Sequence, residues 1–148
     1  KQSSSTESAV IHSINYLKKN KKLFKWVVTL PPTSPLRSLK TLLNVLKLIK
    51  SNKYDSVITI CKHKGYFWKK QKSLKLKKLF PKASRRQQNR NFLFEETSSV
   101  YANKIKTLIK SNSMINGKIG FVETLKDESI DINDNTDVIY LKSLIKKI

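Results

Sequence analysis

A proline-rich loop at residues 30–37 constrains the fold of this chain more than any other stretch. It reads Leu30-Pro31-Pro32-Thr33-Ser34-Pro35-Leu36-Arg37 and follows a short apolar run at 26–29. Three prolines in five residues fix φ and remove backbone donors, so a strand must end by Leu30 and the loop must be stiff. A stiff loop holds its hydroxyls and its guanidinium in place, and such groups bind phosphate or carboxylate oxygens. Local chemistry alone also allows an ordinary strand-to-helix connection.

The residues on either side of this loop predict a strand, a helix and a second strand. Residues 26–30 read as the first strand and residues 56–60 as the second. Ser38 can cap the helix between them, and its apolar stripe is predicted to face the core: Leu39, Leu42, Leu43, Leu46 and Ile49. Such a βαβ unit implies parallel strands joined by a right-handed crossover, with ligands bound at the carboxyl ends of strands. The proline-rich loop lies at such an end, which favours a functional role for it.

The rest of the chain predicts more helices and strands. Helices are expected at 5–17, 103–111 and 138–148, and strands at 99–101 and 118–122. Ser4 and Glu7 have the spacing of a capping box for the first helix. Asp131, Asp134 and Asp137 gather just before the last helix. These acids either complement the helix dipole or offer oxygen ligands to Mg²⁺, and the sequence leaves both interpretations open.

The charge of the chain is strongly basic. There are 31 basic and 10 acidic residues, a formal charge of +21, and only four of the basic residues are arginines. Such a charge first suggests affinity for polyanions. A lysine-rich surface produced by coding bias toward A and T is the alternative interpretation, and composition does not decide between them.

A basic segment at residues 62–92 contains twelve of these basic residues and no acidic residue. Four aromatic residues lie among them: Tyr66, Phe67, Trp68 and Phe80. Its periodicity is poor, so an extended or hairpin-like excursion is expected rather than a helix. Basic and aromatic residues together can bind a nucleic-acid strand. They can also form an arm that packs on a partner subunit or positions basic groups at an anionic substrate.

Cysteine usage and motif content exclude several classes. Cys61 is the one cysteine, so no disulfide can form within the chain, and a cytoplasmic location is expected. The sequence has no apolar run long enough to cross a membrane, no signal peptide, no internal repeat, no glycine-rich phosphate loop and no nucleophile elbow. Catalysis by a covalent nucleophile therefore has no support, and one domain over 1–148 is expected.

Four blocks of the sequence resemble the CMP-N-acylneuraminate (CMP-sialic acid) synthetases, a family of cytidylyltransferases. They are STESAVIH at 5–12, PTSPLR at 32–37, RQQ at 86–88 with ETSSVY at 96–101, and ESIDIN at 128–133 followed by Asp137. PTSPLR is the most specific of these motifs, and the blocks keep the family's order across nearly the whole chain. Residues 62–83 and 103–118 match the family poorly.

The resemblance implies a Rossmann-like nucleotidyltransferase: a three-layer α/β fold with a mainly parallel sheet, truncated at its N-terminus, with a dimerisation arm at 62–92. The implied reaction transfers CMP from CTP to a keto-acid sugar with Mg²⁺ and releases pyrophosphate. A homodimer is implied, and neither a membrane nor a nucleic-acid partner is expected. The implied catalytic residues are Arg37 and Asp131, and the implied metal ligands are Asp131 and Asn133. Substrate contacts are implied for Thr33, Ser34, Lys69, Arg86 and Gln87, and nucleotide contacts for Ser5 and Thr6.

Departures from the family pattern limit this interpretation. The family begins with a strand and a basic, glycine-containing loop that binds CTP, and this chain is expected to start after them. Pro31 replaces a common Gln, and Gln2 replaces a common Asp. Asn133 replaces the second Asp of SIDID, which removes one anionic metal ligand. Ser98 replaces a usual Gly, so strain is expected if that position needs positive φ. A catalytically incomplete fragment and a polyanion-binding module are the alternatives.

Overall fold

The computed structural model describes residues 5–21, 24–72, 75–82, 86, 89 and 91–145, which form a mixed α/β structure. The helices are α1 (Thr6–Lys19), α2 (Leu39–Ser51), α3 (Ile105–Ser111) and α4 (Asn135–Ile145). The strands are β1 (Trp26–Thr29), β2 (Ser56–Lys64), β3 (Trp68–Lys70), β4 (Leu76–Lys78), β5 (Phe92–Lys104) and β6 (Ile119–Thr124). A short 3₁₀ turn occupies Asp127–Ser129.

The central sheet has the strand order β1-β5-β2-β6. Strands β2 and β6 pair in parallel, and β5 runs antiparallel to both of its neighbours, β1 and β2. Three of the four strands therefore point the same way, and the predicted α/β class with a mainly parallel sheet is confirmed. Strands β1 and β2 share a direction as the βαβ pattern predicts, but β5 lies between them. Long-range pairing of this kind has no local signature in the sequence.

Helices cover both faces of this sheet. One core cluster joins α2 to the sheet through Val45, Val57, Val100, Ala102 and Val122. A second cluster joins α1 and α3 to the opposite face through Ile14, Ile105, Leu108 and Met114. Neighbouring residues of β5 divide between the two clusters because successive strand residues point to opposite faces. The sheet is thus the middle of three layers, as the resemblance implies.

The predicted core face of α2 is wrong: the observed buried face is rotated about the helix axis by part of a turn. Leu39 is 71% exposed, and Leu43 and Leu46 are also exposed, whereas Thr41 and Val45 are buried. The remaining members of the predicted stripe, Leu42 and Ile49, do pack against the core. The rotation follows from a polar contact at the helix start, where the Thr41 hydroxyl donates to the buried carboxylate of Glu128 at 2.6 Å. Thr41 therefore faces inward.

The helix caps agree with the sequence only in part. Ser38 caps α2 as predicted, because its hydroxyl accepts a hydrogen bond from the Thr41 N–H at 3.1 Å. The cap of α1 is Ser5, whose hydroxyl accepts from the Ser8 N–H at 3.2 Å, and not the predicted Ser4, which lies outside the described residues. Helix α4 begins at Asn135, earlier than the apolar pattern indicated.

The basic segment forms a separate hairpin, as its sequence predicts. Strands β3 and β4 pair antiparallel, with Lys69 opposite Lys77. The rings of Phe67 and Phe80 meet edge to face at 6.2 Å and close the base of the hairpin. Its role as a dimerisation arm stays a prediction. None of the helices in the described ranges is long and apolar enough to cross a membrane.

Candidate functional site

A bulge in β5 shapes the candidate site. Ile58 pairs with Tyr101, but the next residue of β2, Thr59, pairs with Thr97, so three residues of β5 are left without a partner on β2. The Thr59 side chain closes this gap: its hydroxyl donates to the Thr97 carbonyl and accepts from the Val100 N–H, both at 3.1 Å. Thr59 is fully buried. Bulges of this kind redirect side chains near functional sites.

Arg37 ties the proline-rich loop to this bulge. Its Nε donates to the Ser99 carbonyl at 3.2 Å, and its terminal nitrogen donates to the Pro31 carbonyl. The guanidinium therefore donates hydrogen bonds to backbone carbonyls on two segments 68 residues apart. They fix the loop against β5. A contact with an anionic substrate stays a prediction.

The loop is also joined to the segment 128–133. The Ile132 N–H donates to the Thr33 carbonyl at 2.8 Å, and the Ser34 hydroxyl donates to Asp131 Oδ1 at 3.4 Å. Ser34 is only 1% exposed, so its hydroxyl orients the carboxylate from inside the protein. Two of the blocks that carry the family resemblance therefore form one continuous wall, although 97 residues separate Ser34 from Asp131.

This wall borders a cleft of about 310 Å³ between the loop, the start of α1, the bulge and the segment after α3. Its described lining residues are Thr6, Glu7, Pro31, Thr33, Glu96, Ser98, Tyr101, Ser113, Met114, Ile115 and Asp131. The cleft thus brings together Thr6, Thr33 and Asp131 from the predicted set. Three carboxylates line it, and no lysine or arginine is among these residues, which contrasts with the charge of +21 for the whole chain.

Tyr101 lies in the cleft with its phenol hydrogen-bonded to a carboxylate. Its hydroxyl donates to Glu96 Oε1 at 2.6 Å. Burial of the phenol, followed by the hydrogen bond to Glu96, raises the pKa of Tyr101 to about 12, and the charge of Asp131 adds to this effect. The phenol therefore stays protonated at neutral pH and presents a hydroxyl group to the cleft.

The other predicted site residues lie outside the cleft lining. Ser5 serves as the helix cap of α1. Lys69 is exposed on β3, and Arg86 is exposed in the basic segment; neither is among the described residues that line the cleft. Gln87 lies outside the described residues. Asn133 is exposed, and its amide donates to the Asp131 carbonyl at 3.3 Å.

Asp134 and Asp137 cap the start of α4: Asp134 precedes the helix, and Asp137 lies in its first turn. Asp134 Oδ1 accepts from the N–H groups of Thr136 and Asp137, at 2.7 and 3.1 Å. Asp137 Oδ2 accepts in turn from the N–H groups of Asn133 and Asp134. This reciprocal arrangement is a capping box. It leaves Asp131 as the acid of this group that faces the cleft.

Asp131 fits a divalent cation as a single protein ligand. In the described part of the chain no group of three or more His, Cys, Asp or Glu residues has a geometry that could hold a metal by itself. Mg²⁺ at phosphate sites needs only one or two carboxylates, since substrate phosphates and water supply the other oxygens. The half-buried Asp131 carboxylate, oriented by Ser34, meets that requirement.

Sequence reasoning missed the site roles of Glu96, Tyr101 and Thr59. In a regular strand, residues five apart point to opposite faces, so the sequence did not suggest that Glu96 and Tyr101 meet. The bulge between them makes the contact possible. Ser98, within the bulge, is not strained: the non-glycine residues with positive φ in the described ranges are Lys21, Asn52 and Asn112.

Among solved structures the fold is similar to a protein described as 4-diphosphocytidyl-2C-methyl-D-erythritol synthase from Anaerococcus prevotii. The TM-score is 0.69 at 14% sequence identity, and the match covers 97% of this chain. The chain spans 65% of the length of that structure. At this identity the likeness shows a shared fold. No model of a protein family matches the chain, and no curated protein matches it either.

Proposed function

We propose that this chain forms part of a cytidylyltransferase that transfers CMP from CTP to a keto-acid sugar of the sialic acid type. The observation that carries the proposal is the joining of the PTSPLR and SIDIN blocks at one cleft wall, through the Ser34–Asp131 hydrogen bond. Both blocks resemble the sialic acid synthetases, and the fold is shared with a protein named for a diphosphocytidyl product. These lines of support are independent of each other.

The proposed chemistry is an in-line displacement in which the anomeric hydroxyl of the sugar attacks the α-phosphorus of CTP and pyrophosphate leaves. Mg²⁺ supplies charge neutralisation at the phosphate oxygens. Asp131 would hold the cation, and the hydroxyl groups of Thr33 and Tyr101 would orient substrate oxygens in the cleft. Lys69, Arg86 and Gln87 are proposed to reach the sugar carboxylate from the basic segment, in one subunit or in a dimer.

The charges of the cleft imply that CTP binds with its metal. Glu7, Glu96 and Asp131 all lie in the cleft wall, and a triphosphate without a cation would meet three like charges. The requirement for Mg²⁺ should therefore appear in CTP binding and not only in turnover. Asp131→Asn should weaken Mg²⁺-dependent binding at least tenfold. Asp127→Asn, which removes an exposed acid four residues earlier, is the matched control.

The test is pyrophosphate release by the full-length gene product with CTP and Mg²⁺. The acceptors are sialic, legionaminic, pseudaminic and octulosonic acids, with a methylerythritol phosphate as the comparison acceptor. Release with a keto-acid sugar supports the proposal. Release only with the methylerythritol acceptor would support cytidylyltransferase activity but refute a keto-acid sugar as the acceptor. No release with any acceptor would refute both the activity and the acceptor.

The alternative of an incomplete fragment is tested on residues 1–148 alone. Calorimetry that detects micromolar CTP binding by this chain would contradict it. The polyanion-binding alternative predicts nucleic-acid affinity that falls steeply with salt, so a flat salt dependence would exclude it.

A further inference from the structure

The hydrogen bond between Tyr101 and Glu96 uses the only proton of the Tyr101 phenol. The phenol hydroxyl donates to Glu96 Oε1 at 2.6 Å, a length typical of a hydroxyl bonded to a carboxylate. A tyrosine hydroxyl carries one proton, so its oxygen can only accept further hydrogen bonds once that proton is committed. Both partners lie on β5, so the contact is made within one strand.

The influences on the pKa of Tyr101 agree with this assignment of donor and acceptor. Burial of the phenol and then its bond to Glu96 raise the pKa to about 12, because ionisation would lose a bond that the phenol donates. A side-chain hydrogen bond with Ser98 lowers the pKa, as a bond donated to the phenol oxygen does. The phenol thus donates to one neighbour and accepts from another, and it offers a ligand an acceptor.

The charged groups around this pair are acceptors as well. Glu96 is exposed in the cleft and Tyr101 is half-buried there. The other charged residues among the described lining are Glu7 and Asp131, with no lysine or arginine. Away from the cation proposed at Asp131, a carboxylate or phosphate of a ligand would therefore meet like charge. A hydroxyl group, which can donate, would find acceptors instead. The Glu96 end of the cleft suits a neutral part of a ligand that carries hydroxyl groups.

We propose that Glu96 is a positioning residue that holds the Tyr101 proton and so makes the phenol oxygen an acceptor for a hydroxyl group of the ligand. The inference rests on the proposed function and names the part of the substrate that lies against the bulge. Two sources supply hydroxyl groups of this kind, the sugar acceptor and the ribose of CTP. If the sugar is the source, its carboxylate points away from Glu96.

The test replaces single hydroxyl groups of each ligand with fluorine, which is similar in size and can accept a hydrogen bond but cannot donate one. Calorimetry with the full-length gene product and Mg²⁺ compares sialic acid with its monofluoro side-chain analogues in one arm. The other arm compares CTP with its 2′-fluoro and 3′-fluoro analogues. One replacement is expected to weaken binding about tenfold or more, because it leaves the acceptors of the site unpaired. The arm in which this loss occurs identifies the source of the hydroxyl group.

Glu96→Ala is the decisive variant. It frees the phenol proton, so the phenol can donate to a ligand, and the preference for hydroxyl over fluorine should fall to about threefold or less. Glu95→Ala is the matched control, since it removes the same charge from the neighbouring residue, which lies 2.7 Å from His63 and not in the cleft lining. This control should keep the full preference. Tyr101→Phe removes the phenol oxygen, should also abolish the preference, and replaces Glu96→Ala if that variant fails to fold.

The outcomes separate this inference from the proposed function. A preference that Glu96→Ala leaves unchanged, or no preference in either arm, would overturn the inference even if pyrophosphate is released. A preference that Glu96→Ala removes would support it even without turnover, in which case the proposed function alone fails. Absence of binding by every ligand would also overturn the inference.

Discussion

Thr59→Val tests whether one buried hydroxyl holds the bulge that shapes the cleft. Valine keeps the volume and the β-branch of threonine, so the substitution removes the hydroxyl without opening a cavity. The Val100 N–H then loses its acceptor at 3.1 Å inside a fully buried region. A buried donor without a partner costs about 1–3 kcal/mol, and the expected loss of unfolding free energy is about 2 kcal/mol.

Thr124→Val is the matched control. Thr124 is also a buried strand threonine, and its hydroxyl donates to the Ile60 carbonyl at 3.3 Å. In the described part of the chain no backbone N–H donates to the Thr124 hydroxyl, so the substitution removes one ordinary hydrogen bond, worth about 1 kcal/mol. Urea unfolding followed by far-ultraviolet circular dichroism gives both values, provided that the slopes with denaturant agree.

A second measurement separates the bulge from general stability. If Thr59 holds the bulge, its removal lets Glu96 and Tyr101 separate, and the pKa of Tyr101 should fall from about 12 toward its ordinary value of 10.0. Absorbance titration of tyrosine ionisation, with Tyr101→Phe subtracted to isolate this residue, detects the change. Equal destabilisation by Thr59→Val and Thr124→Val, with an unchanged Tyr101 pKa, would refute the argument.

Two further predictions follow from the same contacts. Because folding raises the pKa of Tyr101, the stability linked to its protonated phenol should be complete below pH 10 and lost as the pH rises from 10 toward 12. Tyr101→Phe should reduce this loss of stability. Tyr16→Phe, a substitution at an exposed site, should not reduce it. Gly117→Ala should destabilise the protein by about 2 kcal/mol, since alanine is strained at φ +57° and its Cβ would lie 2.7 Å from that of Asp55. Gly65→Ala, whose Cβ would make only ordinary contacts, should change stability little, as thermal unfolding can check.

Local features of the fold were predictable from the sequence. The prolines that end β1, the Ser38 cap of α2 and the poor periodicity of the basic segment depend on neighbouring residues, and each prediction agrees with the structure. The error in the core face of α2 concerns a contact between distant residues. The face of α2 is set by Glu128, about 90 residues away, and apolar spacing alone placed Leu39 and Leu43 in the core.

The candidate site also combines features that the sequence shows with features that only the structure shows. The sequence named Thr33 and Asp131 as candidate site residues, and the structure places both in the lining of one cleft, a juxtaposition that the sequence analysis did not predict. The sequence did not indicate which of Asp131, Asp134 and Asp137 cap the last helix, because a capping box and a metal site use the same residue types at similar spacings. Only the backbone geometry shows that Asp134 and Asp137 are committed to N–H groups.

The rigidity of the cleft and the charge of the chain therefore have separate origins. Hydrogen bonds within the protein use the polar groups of Arg37, Thr59 and Ser34. These bonds fix the proline-rich loop, the bulge and the Asp131 carboxylate in one wall. No lysine is among the described residues that line the cleft, whereas Lys18, Lys25, Lys104 and Lys106 line a cavity at the start of β1. If CTP binds this cleft as proposed, the carboxylates of Glu7, Glu96 and Asp131 would repel its triphosphate, so the proposed Mg²⁺ would be needed for binding as well as for turnover.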